Sequence, residues 1–385
     1  MITSAILSCS RLGAWDIIAA GADKADEDSI PPIPPNPPGS TLKRLSVSLK
    51  PIAQGSGLID FPVLIRLTAA NFPYASARSD GMDIRFKADD GTTALDFERE
   101  SWNPSGVSDY WVKIPALAAS PADTTIWIYF GDDSSTDASH ASGVWTNGYI
   151  AVLHGGYTDV ALERYYVNSV GSNDPNTEGP SDPPGDLVSS TIIGSYGFRF
   201  DGSNNKDGVL FPAVTDYNDL GPLTFETWIY DRGSPPGGLL FYKGANFALS
   251  IQASEAVRFL VGYTPTALDY SSPTVFLSST AWTNFVLTWN GLSVGSSLVS
   301  MYANGLSGAL VGTGPAGIRD SDAAESLIFG NDGSPSPPYR HLVADLDEIR
   351  ISNVVRSAAW IRAQYLSQLG DQVIFGSAEA VKSVR

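Results

Sequence analysis

The sequence predicts an all-β protein: two β-sandwich domains behind an extended N-terminal arm. Three observations support this. Apolar residues recur at every second position in short runs, as in Leu45, Val47 and Leu49, which is the period of a half-buried strand. Turn chemistry punctuates these runs, at Asp80-Gly81, Asp89-Asp90-Gly91, Asn290-Gly291 and Asn304-Gly305. The length of 385 residues also exceeds the ~250–300 at which a single core usually divides.

Composition narrows the function classes. A formal net charge of −17 opposes the counterion release that drives binding to phosphate backbones, so neither nucleic acid nor an anionic membrane surface is an expected partner. No apolar run approaches the ~18 residues of a membrane-spanning helix. Cys9 is the one cysteine, which rules out an internal disulfide or a zinc site built on thiolates.

Residues 1–40 read as an anchoring arm and linker. Met1–Ala22 is mildly apolar, but it lacks a basic start and is interrupted by Arg11 and Asp16, so a secretory signal is not expected. An acidic patch, 23–28, is followed by Pro31-Pro32-Ile33-Pro34-Pro35-Asn36-Pro37-Pro38-Gly39, which favours a polyproline II spacer. A spacer implies something to hold apart. We expect Ile6, Leu7, Trp15, Ile17 and Ile18 to dock on a partner assembly, with the remaining chain held outward.

From 41 to 136 the pattern is a β-sandwich, with Val63, Ile65 and Leu67 in one phase and Ile126, Ile128 and Phe130 in another. Its aspartates, Asp83, Asp89, Asp90, Asp132 and Asp133, fit turn chemistry better than the spacing of a calcium loop. Residues 137–195 form a connecting segment with a Gly/Pro/Asp-rich loop at 172–185. It contains His154, expected as a core histidine hydrogen-bonded to backbone, because no serine or cysteine nucleophile motif accompanies it. The three histidines, His140, His154 and His341, show no ligand spacing, and no metal is assigned.

The second sandwich spans 196–372, followed by a tail at 373–385. Phe225, Thr227 and Ile229 face one way in its first long strand, and Glu226, Trp228 and Tyr230 the other. Asn304-Gly305 predicts a hairpin whose central residues adopt positive φ. The Asp345–Ile351 run predicts a strand in which Asp347 shares the phase of Ile349 and Ile351, while Leu346, Glu348 and Arg350 point away. A short helix is expected after it, N-capped by Ser357, with Trp360, Ile361 and Tyr365 packing back.

Two resemblances follow from these residues. Phe61–Leu67, Asp80–Phe86, Tyr110–Pro115 and Thr125–Gly131 resemble, in order, an uncharacterised β-domain of bacterial, archaeal and viral surface proteins, and that likeness implies no activity. Phe200-Asp201-Gly202, Phe225–Ile229, Trp282 with Leu287-Thr288-Trp289, Tyr302–Gly305, Ile328-Phe329-Gly330 and Asp347–Ile351 resemble the laminin-G-like branch of the concanavalin A-like jelly roll. Asn304 departs from the aspartate more usual at that turn.

That superfamily holds lectins, adhesion modules, viral appendages and glycosidases, so fold alone does not choose among them. Its β-glucan-cleaving members carry Glu-x-Asp-x-x-Glu on one strand. Laid over Asp345–Arg350, the first glutamate becomes Asp345 and the second Arg350, and a guanidinium with a pKa above ~12 cannot donate the proton that the leaving oxygen needs. The expectation is therefore a non-enzymatic appendage on a virion surface: a phage or viral head fibre, decoration or tail-associated protein, anchored through residues 1–22 on other virion proteins. The competing reading is a secreted or cell-surface adhesin, and behind it a glycoside hydrolase. Glu226, Trp228 and Tyr230 are the candidate glycan- or receptor-binding face. No cofactor is expected and no metal is assigned; a calcium ion at Asp345 or Asp347 with Asn331-Asp332 is an alternative whose ligand set the sequence does not fix, and a symmetric homo-oligomer is expected.

Overall fold

The computed structural model describes residues 42–51, 57–132, 135–155, 157–160, 163–171, 174–177, 187–188, 191–202, 208–211, 215–244, 246–294, 298–332 and 340–381. The arm residues Ile6, Leu7, Trp15, Ile17 and Ile18 lie outside that set. The described chain is nearly all β, as its two-residue periodicity dictates.

The first domain is two packed sheets. In one, Lys43–Leu49 runs antiparallel to Thr124–Phe130, which in turn pairs with Arg85–Ala88. The other comprises Leu58–Thr68, Val107–Leu117 and Phe97–Arg99. Leu45, Val47, Leu49, Val63, Ile65, Leu67, Ile126, Ile128 and Phe130 are all buried in the core between them, in the expected phases. Leu64 is buried as well, although it points the other way. Its strand is covered on both faces, because the second domain and the last helix pack on its outer side.

The free edge of Lys43–Leu49 is closed from the far end of the chain. Val373–Phe375 pairs with Val47–Leu49, and Glu379–Ala380 with Lys43-Arg44. Val373–Phe375 and Glu379–Ala380 are thus strands of the first domain, where the sequence indicated a tail at 373–385.

The jelly roll stacks a ten-stranded sheet on an eight-stranded one. The latter carries Gly197–Phe200, Ala344–Ser352, Leu223–Asp231, Thr283–Trp289 and Val299–Ala303 as neighbours in that order. Aromatic packing fills the space between the sheets, with Phe225 5.2 Å from Phe241 and 6.0 Å from Phe329, centroid to centroid. Asn304 and Gly305 adopt φ of 53° and 73°, as their hairpin requires. Tyr149–Leu153, in the connecting segment, pairs with Ala344–Ser352 and so belongs to this sheet.

The helix Ala358–Gln368 begins as expected, with the Ser357 side chain accepting from the Trp360 N–H. It packs on both domains. Trp360 enters the first domain's core edge-on to Phe61 at 4.8 Å, and Ser367 Oγ accepts from Leu64 N–H at 2.9 Å. Ile361 packs on Val286 and Tyr302 of the jelly roll.

Candidate functional site

The Ala344–Ser352 strand is buried along its whole length and does not alternate simply. Its register with Leu223–Asp231 shifts by one residue between Glu226↔Arg350 and Trp228↔Asp347, and Glu348 sits in the extra position at φ 55°. This is a β-bulge with a left-handed residue, a place usually given to glycine. The bulge resets the phase. Leu346, Ile349 and Ile351 face the jelly-roll core, whereas Asp347 points to the opposite side with Arg350, correcting the simple alternation.

That opposite side meets the first domain, and charge collects in the seam. The Arg350 guanidinium pairs with Glu348 through Nη2, lies 3.5 Å from Glu226, and stands over the rings of Trp111 and Trp145 at 4.2 and 4.8 Å. His154 Nδ1 is 2.7 Å from Glu348 Oε1 and 3.6 Å from Glu100 Oε2. Its Nε2 is 3.2 Å from Glu98 Oε2. Glu98 is further held by the Trp145 indole N–H at 2.5 Å and the Ser169 hydroxyl at 2.6 Å, and Glu100 by the Trp111 indole N–H at 2.7 Å. Gly194 makes room for Glu100, since a Cβ there would stand 1.9 Å from Oε1. His154 is thus bound by carboxylates from both domains, where the sequence indicated a backbone partner.

Electrostatics follow from burial set against charge. Burial opposes ionisation of Glu98 and Glu348, but the His154 charge, joined at Glu348 by Arg350, outweighs it and holds both carboxyls below their usual range. Burial likewise opposes the imidazolium, yet Glu348, Glu98 and Glu100 together raise His154 well above its ordinary value. Glu100 goes the other way: burial and then the Glu348 charge push it well up. Asp347 is pushed to about 8 by burial and Glu348, although its Oδ2 accepts from the Ile192 and Ile193 amides at 3.0 and 3.1 Å.

The same seam removes the expected binding face. Trp228 is 2% exposed, its indole N–H donating to Gln368, and Glu226 is 6% exposed, accepting from Gln368 Nε2 at 2.9 Å. The helix Ala358–Gln368 covers both, so neither offers a surface to a sugar. Tyr230 is half-buried beside Trp282. Of the calcium candidates, Asp345 is committed to a two-pronged pair with Arg199 at 2.8 and 3.1 Å. The sequence did not single out Glu98, Glu100, Trp111 or Trp145. The available signal was the Glu98-x-Glu100 repeat inside a strand pattern, where carboxylates need partners if buried.

An open concavity lies elsewhere, at one rim of the jelly roll. It is a cleft of about 380 Å³ bordered by Glu255, Phe276, Ser278, Ser279, Thr280 and Asn304. Its walls are held in unusual backbone conformations: Ser254, Glu255 and Val275 have φ of 60°, 60° and 56°. For a β-branched residue such as Val275, 71% exposed, this is strain that the surrounding hydrogen bonds sustain, among them Val275 N–H to the Ser254 carbonyl at 2.7 Å.

The jelly roll is a concanavalin A-like domain: residues 201–362 match the family described as the concanavalin A-like lectin/glucanases superfamily. Residues 80–151 match a domain of unknown function, DUF2341, so the chain carries a laminin-G-like domain preceded by an uncharacterised one. No curated protein matches the chain. Among solved structures it is similar to the binding domain of paraclostridial mosquitocidal protein 1, at 14% identity and a TM-score of 0.43 over 57% of this chain and 52% of that one. It is also similar to the Trypanosoma rangeli sialidase, at 15% and 0.40 over 69% and 42%, and to domain 4 of the Geobacillus stearothermophilus arabinanase AbnA, at 15% and 0.38 over 57% and 98%. The chain spans about half the length, or less, of the first two.

Proposed function

We propose that this protein is a non-enzymatic binding appendage, in which two β domains locked along a charged seam present the rim cleft to a cell-surface glycan or glycosylated receptor. One observation carries the reading. The sheet face that would hold catalytic carboxylates in a glucan-cleaving relative is closed by the first domain, with Glu348 at 0% exposure and Arg350 standing where the acid is needed. The cleft supplies what polyol recognition uses: hydroxyls at Ser278, Ser279 and Thr280, the Glu255 carboxylate as acceptor, and the Phe276 ring as an apolar wall. Display on a virion, as a head fibre, decoration or tail-associated protein, belongs to the same proposal and rests on the Pro-rich 31–39 spacer and the apolar arm before it.

A glycan array probed with the full chain, followed by titration of the strongest ligand, tests the reading. We expect binding without sugar release, weakened tenfold or more by Glu255→Gln and by Phe276→Ala in folded protein. Hydrolysis of any arrayed glucan, or variants that bind at full strength, would overturn it.

A further inference from the structure

We infer that the seam between the two domains is a binding site for a divalent cation of the zinc class, held by His154 Nδ1, Glu348 and Glu100. Nothing in the proposed binding function requires it, and it stands on independent observations.

The donor set is the first. One ligand atom from each of the three residues lies within 4.8 Å of the others, with Nδ1 at 2.7 and 3.6 Å from the two carboxylates. Donors at ~2.0–2.2 Å from a tetrahedral zinc stand ~3.3–3.5 Å from one another, so these separations bracket the required geometry within small side-chain rotations. The chemistry also selects the ion. Imidazole with two carboxylates suits zinc and its first-row neighbours, whereas calcium takes ~6–8 oxygens and this donor set is centred on a nitrogen, His154 Nδ1.

The outer partners are the second. A histidine that ligates through one nitrogen characteristically gives its other N–H to a carboxylate, and ligating carboxylates are themselves hydrogen-bonded. Each of the three has such a partner here. His154 Nε2 meets Glu98, which is anchored by Trp145 and Ser169; the second oxygen of Glu348 is held by Arg350; and Glu100 accepts from Trp111.

The third observation is an orphan. Glu100 Oε1 is buried with no hydrogen-bond partner among the described residues, on a side chain only 5% exposed. An unsatisfied buried oxygen, on the same carboxyl whose Oε2 stands 3.6 Å from His154 Nδ1, is costly unless a cation or proton takes it up. Charge asks for the same thing. Glu98, Glu100, Glu226 and Glu348 share this seam with two basic groups, Arg350 and His154, and a divalent ion offsets part of that excess.

Elemental analysis of the full, tag-free chain purified without chelator is the direct test. We expect about one equivalent of zinc per chain. After dialysis against dipicolinate, the melting temperature should fall, and it should recover on adding zinc chloride but not calcium chloride. Cobalt substitution should give visible d–d bands of a four-coordinate site. Because His154→Ala risks unfolding the seam, the discriminating variant is Glu100→Gln, which keeps an acceptor for Trp111; it should remain folded with zinc affinity reduced at least tenfold. Less than a tenth of an equivalent of metal together with no zinc-dependent shift, or undiminished affinity in Glu100→Gln, would overturn the inference.

Discussion

Arg350, on a jelly-roll strand, lies over the Trp111 ring of the preceding domain at 4.2 Å while pairing with Glu348 two residues away. One side chain therefore joins the bulge, the acid cluster and the domain boundary. Breaking a buried pair by removing one partner typically costs ~3–5 kcal/mol, because the other charge is left uncompensated. We expect Arg350→Met to lose stability on that scale in urea unfolding. Pairing it with Glu348→Gln should restore part of the loss, giving a coupling energy of opposite sign in a double-mutant cycle.

Trp360 gives a second expectation. It is buried in the first domain's core against Phe61, with the Arg356 guanidinium 4.2 Å over its ring. Trp360→Ala should cost ~3–5 kcal/mol, the usual penalty for emptying an aromatic core site. Because the helix Ala358–Gln368 touches both domains, the two should lose protection together in hydrogen exchange. Selective loss in the jelly roll would show that the helix belongs to it alone.

Asp83 should make stability depend on pH. It is buried, with Oδ2 accepting from the Gly131 amide at 2.6 Å and Oδ1 unpartnered among the described residues, and burial raises its pKa above the ordinary 3.8. From pH 3.8 up to its folded value, the native state holds a proton that the unfolded state has released, so this group's contribution falls as pH rises. Asp83→Asn keeps an acceptor and removes the titration. Its melting temperature relative to wild type should therefore climb between pH 4 and 7, and a constant difference would refute the assignment.

The boundaries of autonomous pieces can be checked by truncation. A fragment of 196–372 would bare Arg350 and the buried strand face now covered by Trp111 and Trp145. We expect it to aggregate on expression, whereas 42–381 stays monodisperse in light scattering.

Much of the fold was legible in the sequence where the determinant was local. The alternation of Leu45, Val47 and Leu49, the Asn304-Gly305 hairpin and the Ser357 cap each depend on residues within a few positions, and all three formed as expected. The seam was hidden because its partners are distant: His154 and Glu348 are separated by 194 positions, and Arg44 and Glu379 by 335. The bulge escaped for another reason. A glutamate at positive φ carries no local signal, and Glu348 is held there by the distant His154 together with Arg350. The unforeseen packing of the helix Ala358–Gln368 is what made Glu226 and Trp228 look solvent-facing.

The pairing of Val373–Phe375 with Val47–Leu49 also orders events during synthesis. Chains emerge from the ribosome N-terminus first, yet the sheet begun by Lys43–Leu49 cannot be finished until residues 373–380 have been made, so the later-encoded jelly-roll sandwich can pair its strands before the earlier one closes. Nascent chains arrested at residue 372 should therefore be cut by protease near Lys43–Leu49 and become resistant there once residue 381 is out. An early lesion in translation would leave no half-useful product: a truncated chain keeps an open β edge, marking it for quality control.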